Sequence, residues 1–399
     1  VRTATAATAA VVEPGRGGAT STRRGPTRRG SSAARGQGLW GWLFVSPMVV
    51  ILGLFLALPV VMALWVSLLN WDGQSNPFSG AADFVGLRNY QDLFTHDGLT
   101  RTLFMTSLRN NLYYVLLVVP LQTGLALALA LAVNRRRLKG KGLFRTAFYF
   151  PSVTSSIAVS TVFLFLFQSS GAVNSLLKWV GIKGPNWFTD ARGLVWVVLG
   201  GLGLVDPAAP PAALADHGAL GLSWWDWLSG PSIAMCTIIF LVVWTTSGTF
   251  MLMFLAALQD IPEAQLESAR LDGANGRQVL RHVIVPALRP VLFLVITLGL
   301  IGTWQVFDQV YVMSQGAPAN TTLTPAFLSY GVSFKDAQYG TGAAISFVLL
   351  AIILLMTGLQ RLLLRERDAG GARVALTRRV RARVRTQRQA QDQAGRAGR

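Results

Sequence analysis

Reactive side chains are scarce in this 399-residue chain, which holds one cysteine, Cys236, and three histidines, His96, His217 and His282. One thiol cannot form an internal disulfide, and the histidines have no spacing suited to a metal site. Charge is also sparse, at 14% of residues against about 25% in an ordinary soluble domain. Acidic charge is the scarcest, with 18 Asp and Glu against 36 Lys and Arg, a net charge of +18. No phosphate-cradling loop is present, because Lys141 is followed by Gly142 and lacks the upstream glycine that such a loop needs. No Ser/His/Asp arrangement is convincing either. These absences exclude a self-contained ATPase, a metalloenzyme and a triad hydrolase. The chain is expected to be no enzyme and to hold no cofactor of its own, so any energy comes from a partner or a gradient.

Apolar sequence is plentiful, at 52% of residues. Six runs reach the length and purity of membrane helices: Leu39–Leu69, Leu112–Val133, Ala147–Phe167, Ile233–Leu258, Val291–Val312 and Gly340–Leu359. The fold class predicted is all-α, a polytopic integral membrane protein of six spans. The first run follows a long arginine-bearing tail and is too long for a secretory h-region, so no cleavable leader is expected. Lys and Arg concentrate before the first run, over 135–145, over 270–289 and after the last run. With six spans these are alternate connections, and the positive-inside rule makes them cytoplasmic, with both termini inside. Leu194–Val205 is apolar but too short to cross, so it is read as an external or interfacial element. Trp224, Trp225 and Trp227 suit the headgroup zone. Residues 1–38 and 365–399 read as basic tails flanking a 39–364 membrane domain, the first disordered for want of large apolar residues. The basic residues hug membrane exits, and no nucleic-acid-reading motif accompanies them. Orientation and anionic-lipid attraction explain the charge without nucleic acid.

The polar segment 260–290 is wedged between two apolar runs and is far longer than a reversal needs. Asp260 with Glu263 reads as a capping box opening a helix, Gly273 as its left-handed terminus, and Pro286 as the end of a second helical stretch that follows Asn275. Glu267-Ser268-Ala269, then Gly273, then Val283-Ile284-Val285-Pro286 resembles the Glu-Ala-Ala loop of ABC-importer permeases. The added Arg270, Asp272-Gly273-Ala274 and Arg281-His282 resemble the carbohydrate-uptake branch, the maltose and glycerol-3-phosphate type. Similar stretches run along most of the chain: Trp42 to Pro47, Phe84 to Tyr90, Asn110-Asn111, Phe144 to Pro151, Gln305 to Tyr311 and Gly316 to Thr322. They match the first permease of a heteromeric pair. The segment at about 191–230, after Gly184–Trp187, departs from that pattern.

The resemblance implies a binding-protein-dependent importer in the cytoplasmic membrane. Its partners would be a second permease subunit, two cytoplasmic ATPase subunits that use ATP, and an extracytoplasmic solute-binding protein. Ala264, Glu267, Ser268, Ala269, Leu271, Asp272, Gly273 and Pro286 would then form the coupling loop, with Ala264 and Leu271 filling a cleft on the ATPase. For the translocation path the candidates are Ser156, Thr246, Gln305 and Asp308, uncharged hydrogen-bonding groups joined by the only carboxylate in a predicted span. The implied solute is a sugar, a polyol or glycerol-3-phosphate, and no Lys or Arg within the spans would hold a phosphate. The rival reading is a gradient-driven carrier, which a lone carboxylate serves poorly.

Overall fold

The computed structural model describes residues 32–363, apart from 81, 136–137, 205 and 207–210. Of the expected tails, 1–38 and 365–399, residues 1–31 of the first and all of the second therefore lie outside the described residues. The chain divides into two units, 1–61 and 62–399. In the first, a helix Ser32–Leu52 passes into a π-helical turn, Gly53–Ala57. That helix begins inside the stretch expected as tail, where Ala33, Ala34, Arg35 and Gln37 are good helix formers.

The described residues are mostly helical. Four helices are long and apolar enough to cross a membrane: Gly41–Val66, Leu99–Val133, Ile233–Gln259 and Tyr339–Leu363. Two bent pairs bring the count to six if each pair is one span. Lys141–Val153 and Ser156–Leu166 meet at 96°, and Gly276–Ala287 and Arg289–Trp304 at 71°. Ala147–Phe167 is thus a helix, a corner and a helix, not the continuous span its composition predicts. Hydroxyls and a proline, Pro151, mark the corner. Ser152 donates to the Tyr149 carbonyl at 2.7 Å and Thr154 to Phe150 at 3.0 Å, which engages main-chain acceptors of the last turn, and Thr154 is extended. The run Val291–Val312 is likewise interrupted. Its first helix ends at Trp304, and a six-residue helix, Asp308–Met313, starts after Gln305–Phe307. The Val306 carbonyl left over at that break accepts from the Thr324 hydroxyl at 3.1 Å.

The Ile233–Gln259 helix is the axis of the second unit, packing along the Leu99–Val133 helix and against Lys141–Val153. One core joins Phe104, Tyr114 and Val118 to Ile238, Leu241, Val310, Phe327 and Ile345. Another joins Ala126 and Ala130 to Phe250, Phe254, Leu288 and Val295. Gly248 lets the backbones of the Ile233–Gln259 and Lys141–Val153 helices approach closely, since a Cβ there would collide with the Phe148 carbonyl oxygen.

The described residues of the segment 191–230 are folded. Leu194–Gly201 is a helix of eight residues, too short to cross, and a two-stranded hairpin pairs Gly218–Ala219 with Leu222–Ser223. Ser223 and Asp226 cap the Trp224–Leu228 helix reciprocally. Trp225 is only 7% exposed and meets Trp196 edge to face at 5.7 Å, while the Trp227 indole donates to the Ala219 carbonyl at 3.3 Å. Trp225 and Trp227 thus pack within this segment, and Trp224 is the one of the three tryptophans left exposed.

Candidate functional site

The loop 260–290 folds as two short helices around a glycine turn. Glu263–Leu271 is the first, with Pro262 at its N-cap and no side-chain cap. Asp260 instead closes the preceding Ile233–Gln259 helix, so the predicted Asp260–Glu263 capping box does not form. The box lies at the start of the second helix: the Asn275 side chain accepts from Gln278 N–H at 3.0 Å, and the Gln278 side chain from Asn275 N–H at 2.8 Å. Asn precedes a helix that leads straight into apolar sequence, whereas Asp260 still belongs to the span.

Gly273 has φ +80°. Its N–H donates to Arg270 at 3.1 Å, and Ala274 N–H donates to Ala269 at 3.0 Å, the double bond of a Schellman ending. Leu266 and Ala269 are half-buried, whereas Ala264, Glu267, Ser268 and Leu271 are exposed and three or four residues apart, hence on one face. Leu271 is 88% exposed, unusual for a leucine on a polar helix. Asp272 caps the end.

Pro286 does not end the second stretch. Gly276–Val279 runs through a π-helical turn, Leu280–Ile284, into Val285–Ala287, which contains Pro286. The helix breaks at Leu288, two residues later. Pro290 follows that break, and a proline ring excludes the carbonyl four residues back, here that of Pro286.

The four path candidates come together. A cavity of about 230 Å³ is lined by Thr246, Gln305 and Asp308, with Gln122, Thr303 and Phe307. A second, of about 300 Å³, is lined by Ser156 and Thr246 with Ser160 and Thr245, and the two share Thr246, Phe250 and Gln309. Both interrupted spans supply lining residues, and they are tied to each other by Gln309, whose amide donates to Ser156 Oγ at 2.8 Å. Broken helices at a polar cavity free backbone and polar groups for a ligand, a recurrent arrangement in transporters. Gln122 and Gln309 were not selected from sequence. A lone glutamine in an otherwise apolar run was the signal for Gln122.

Residues 124–368 match the family model "Binding-protein-dependent transport system inner membrane component". The chain belongs to that family. It is 29% identical to the lactose transport system permease protein LacF of Rhizobium radiobacter, over 84% of this chain and 98% of that protein. It is 30% identical to the probable ABC transporter permease protein YesP of Bacillus subtilis, over 82% and 91%. It is also 30% identical to the multiple sugar-binding transport system permease protein MsmF of Streptococcus mutans, over 80% and 93%. Its fold is similar to a crystal structure of a bacterial ABC transporter involved in the import of the acidic polysaccharide alginate, with TM-score 0.60 and 19% identity over 84% of this chain and 97% of that one. The chain is accordingly an ABC-importer membrane subunit by family and has the permease fold.

Proposed function

We propose that this chain is one of two permease subunits of a sugar importer, working with a solute-binding protein outside and two ATPase subunits beneath. The observation that carries the reading is the exposed Ala264, Glu267 and Leu271 face on a short helix closed by Gly273. An apolar, nearly bare Leu271 beside a carboxylate suits a protein cleft better than water. Six spans, counting each bent pair as one, and cytoplasmic termini would put this face on the ATPase side, in accord with the positive-inside rule. On this reading the segment 191–230 is external. Relatives named for lactose and multiple sugars support a sugar as solute, and so does a lining of Ser156, Thr246, Gln305 and Asp308 with Phe250 and Phe307. Pro286 and the break behind it would set the angle at which the loop meets the membrane.

ATP-driven closure of the ATPases would push the coupling helices as levers and move the cavity walls. A mild-detergent pull-down of the tagged chain should retain a second permease and a P-loop ATPase. Glu267→Lys should lose the ATPase and reduce uptake at least tenfold with unchanged membrane level. Uptake that survives loss of the ATPase and stops when ion gradients are collapsed would make the chain a carrier instead.

A further inference from the structure

Each of the two cavities borders a buried hydrogen-bonding group that no described protein atom satisfies. Gln122, on the Leu99–Val133 helix, is 1% exposed. One end of its amide meets the Thr246 hydroxyl at 2.7 Å, and the other end has no partner among the described residues. Thr246 Oγ1 also lies 2.7 Å from the Val242 carbonyl, and a single hydroxyl proton can serve only one of these acceptors fully. The amide can therefore be turned either way, and in both orientations one end stays unpaired. Gly299, which lines the same cavity, leaves room for it: a Cβ there would stand 2.5 Å from the Gln122 amide nitrogen. In the second cavity Ser160 is fully buried, and its hydroxyl is likewise without a partner.

Folded proteins rarely leave such groups unsatisfied, because the desolvation they suffer is not returned. Among the described buried groups that lack a partner, these two line the cavities, one in each, with Thr246, Phe250 and Gln309 common to both, so an occupant of the cavities can reach them. We propose that Gln122 and Ser160 recognise hydroxyl groups of a neutral, polyhydroxylated solute as it passes. An amide and a hydroxyl both donate and accept, as a sugar hydroxyl does, so either can follow a hydroxyl that rotates. Phe250 and Phe307 offer apolar surface for the carbon skeleton. Asp308 is the only charged residue lining either cavity, and no Lys or Arg does, which sets the site against anions. The inference rests on the reading of the chain as a sugar permease and assigns the selectivity to these two residues.

The test uses the whole importer, reconstituted with its partner permease, ATPase and binding protein. Uptake of radiolabelled lactose and arabinobiose is compared with uptake of their monodeoxy analogues. The binding protein's own preference is common to all variants, so a change in the parent-to-analogue ratio reports the cavities. Wild type should prefer a parent sugar over at least one analogue by about tenfold or more, as expected where a site pairs with a hydroxyl. Gln122→Met and Ser160→Ala should each bring one such ratio to within about twofold of unity, while binding-protein-stimulated ATP hydrolysis continues. Ratios unchanged from wild type in both variants would overturn the proposal and leave these groups to water. If Gln122→Met does not assemble, the Ser160→Ala ratio decides alone. A wild-type complex that moves neither sugar but couples ATP hydrolysis to uptake of a solute without hydroxyl groups would overturn the sugar-permease reading itself, a failure visible before any variant is compared.

Discussion

Single residues here carry two different kinds of constraint. Gly273 sits at φ +80° in open space, with nothing within 4 Å of where a Cβ would be. Its requirement is conformational, since a side chain in that region costs about 1–2 kcal/mol. Gly273→Ala should lower uptake several-fold at unchanged membrane level. Gly273→Asn should recover part of it, because Asn tolerates the left-handed region. An uptake assay of the three proteins checks both. Asn89 carries a constraint of hydrogen bonding. Its buried amide donates to the Ser67 and Leu69 carbonyls, each at 2.9 Å, and so holds the chain after the first apolar run. Asn89→Leu leaves two carbonyls unpaired and should cost about 1–3 kcal/mol, seen as a lower melting midpoint in detergent. The role of Gly273 was legible because a glycine after a helical pattern announces its backbone. Asn89 was visible only as part of a similar stretch, since its acceptors lie 20 and 22 residues back and nothing local marks them.

At the scale of the element, run length read from sequence located the spans, but the interruptions inside them escaped. Apolar composition continues through Thr154–Ser155 and through Gln305–Phe307, so hydropathy alone draws one helix where there are two. Hydroxyl groups bonding back to carbonyls accompany the first break, and Thr324, 18 residues downstream, pairs the carbonyl left by the second. The path residues gathered where the helices fail. Prolines were also read by position, not by what they block. Pro286 lies within a helix, and the 71° bend falls at the next turn, where Pro290 cannot donate. Pro290→Ala should straighten that bend and Pro286→Ala should not. Spin labels at Arg277 and Leu294 should move apart in the first variant only, measured by pulsed dipolar spectroscopy, with uptake impaired alongside.

For the molecule as a whole, the segment 191–230 is the largest feature that sequence left without a form. Its ends meet: Gly193 and Ser232 form an antiparallel bridge, and Leu194 N–H donates to Pro231 at 2.8 Å. It is also fastened to the first core helix. Buried Arg109 lies 3.4 Å from an Asp226 carboxylate oxygen, and the Tyr113 hydroxyl donates to the Asp226 and Trp227 carbonyls. Neither contact could be read from sequence, because each joins residues more than a hundred positions apart. Excising 194–231 and joining Gly193 to Ser232 through two glycines should therefore give a folded protein in the membrane. Its melting midpoint in detergent should fall, because Arg109 and Tyr113 lose their partners. Asp226→Asn should lower it in the same direction by less, since the peptide carbonyls remain.

Gly248 bears on how such a molecule can move. Where it faces Phe148, the main chains of two helices touch with no side chain between them, and neither can roll on the other without collision. The Ile233–Gln259 and Lys141–Val153 helices thus travel as a single strut. Articulation is left to the corners at Thr154–Ser155 and Gln305–Phe307, which lie beside the two cavities and are bridged by Gln309 and Ser156. Tight backbone contact and broken helix thus occupy different parts of the second unit, and the broken parts are the ones that border the cavities.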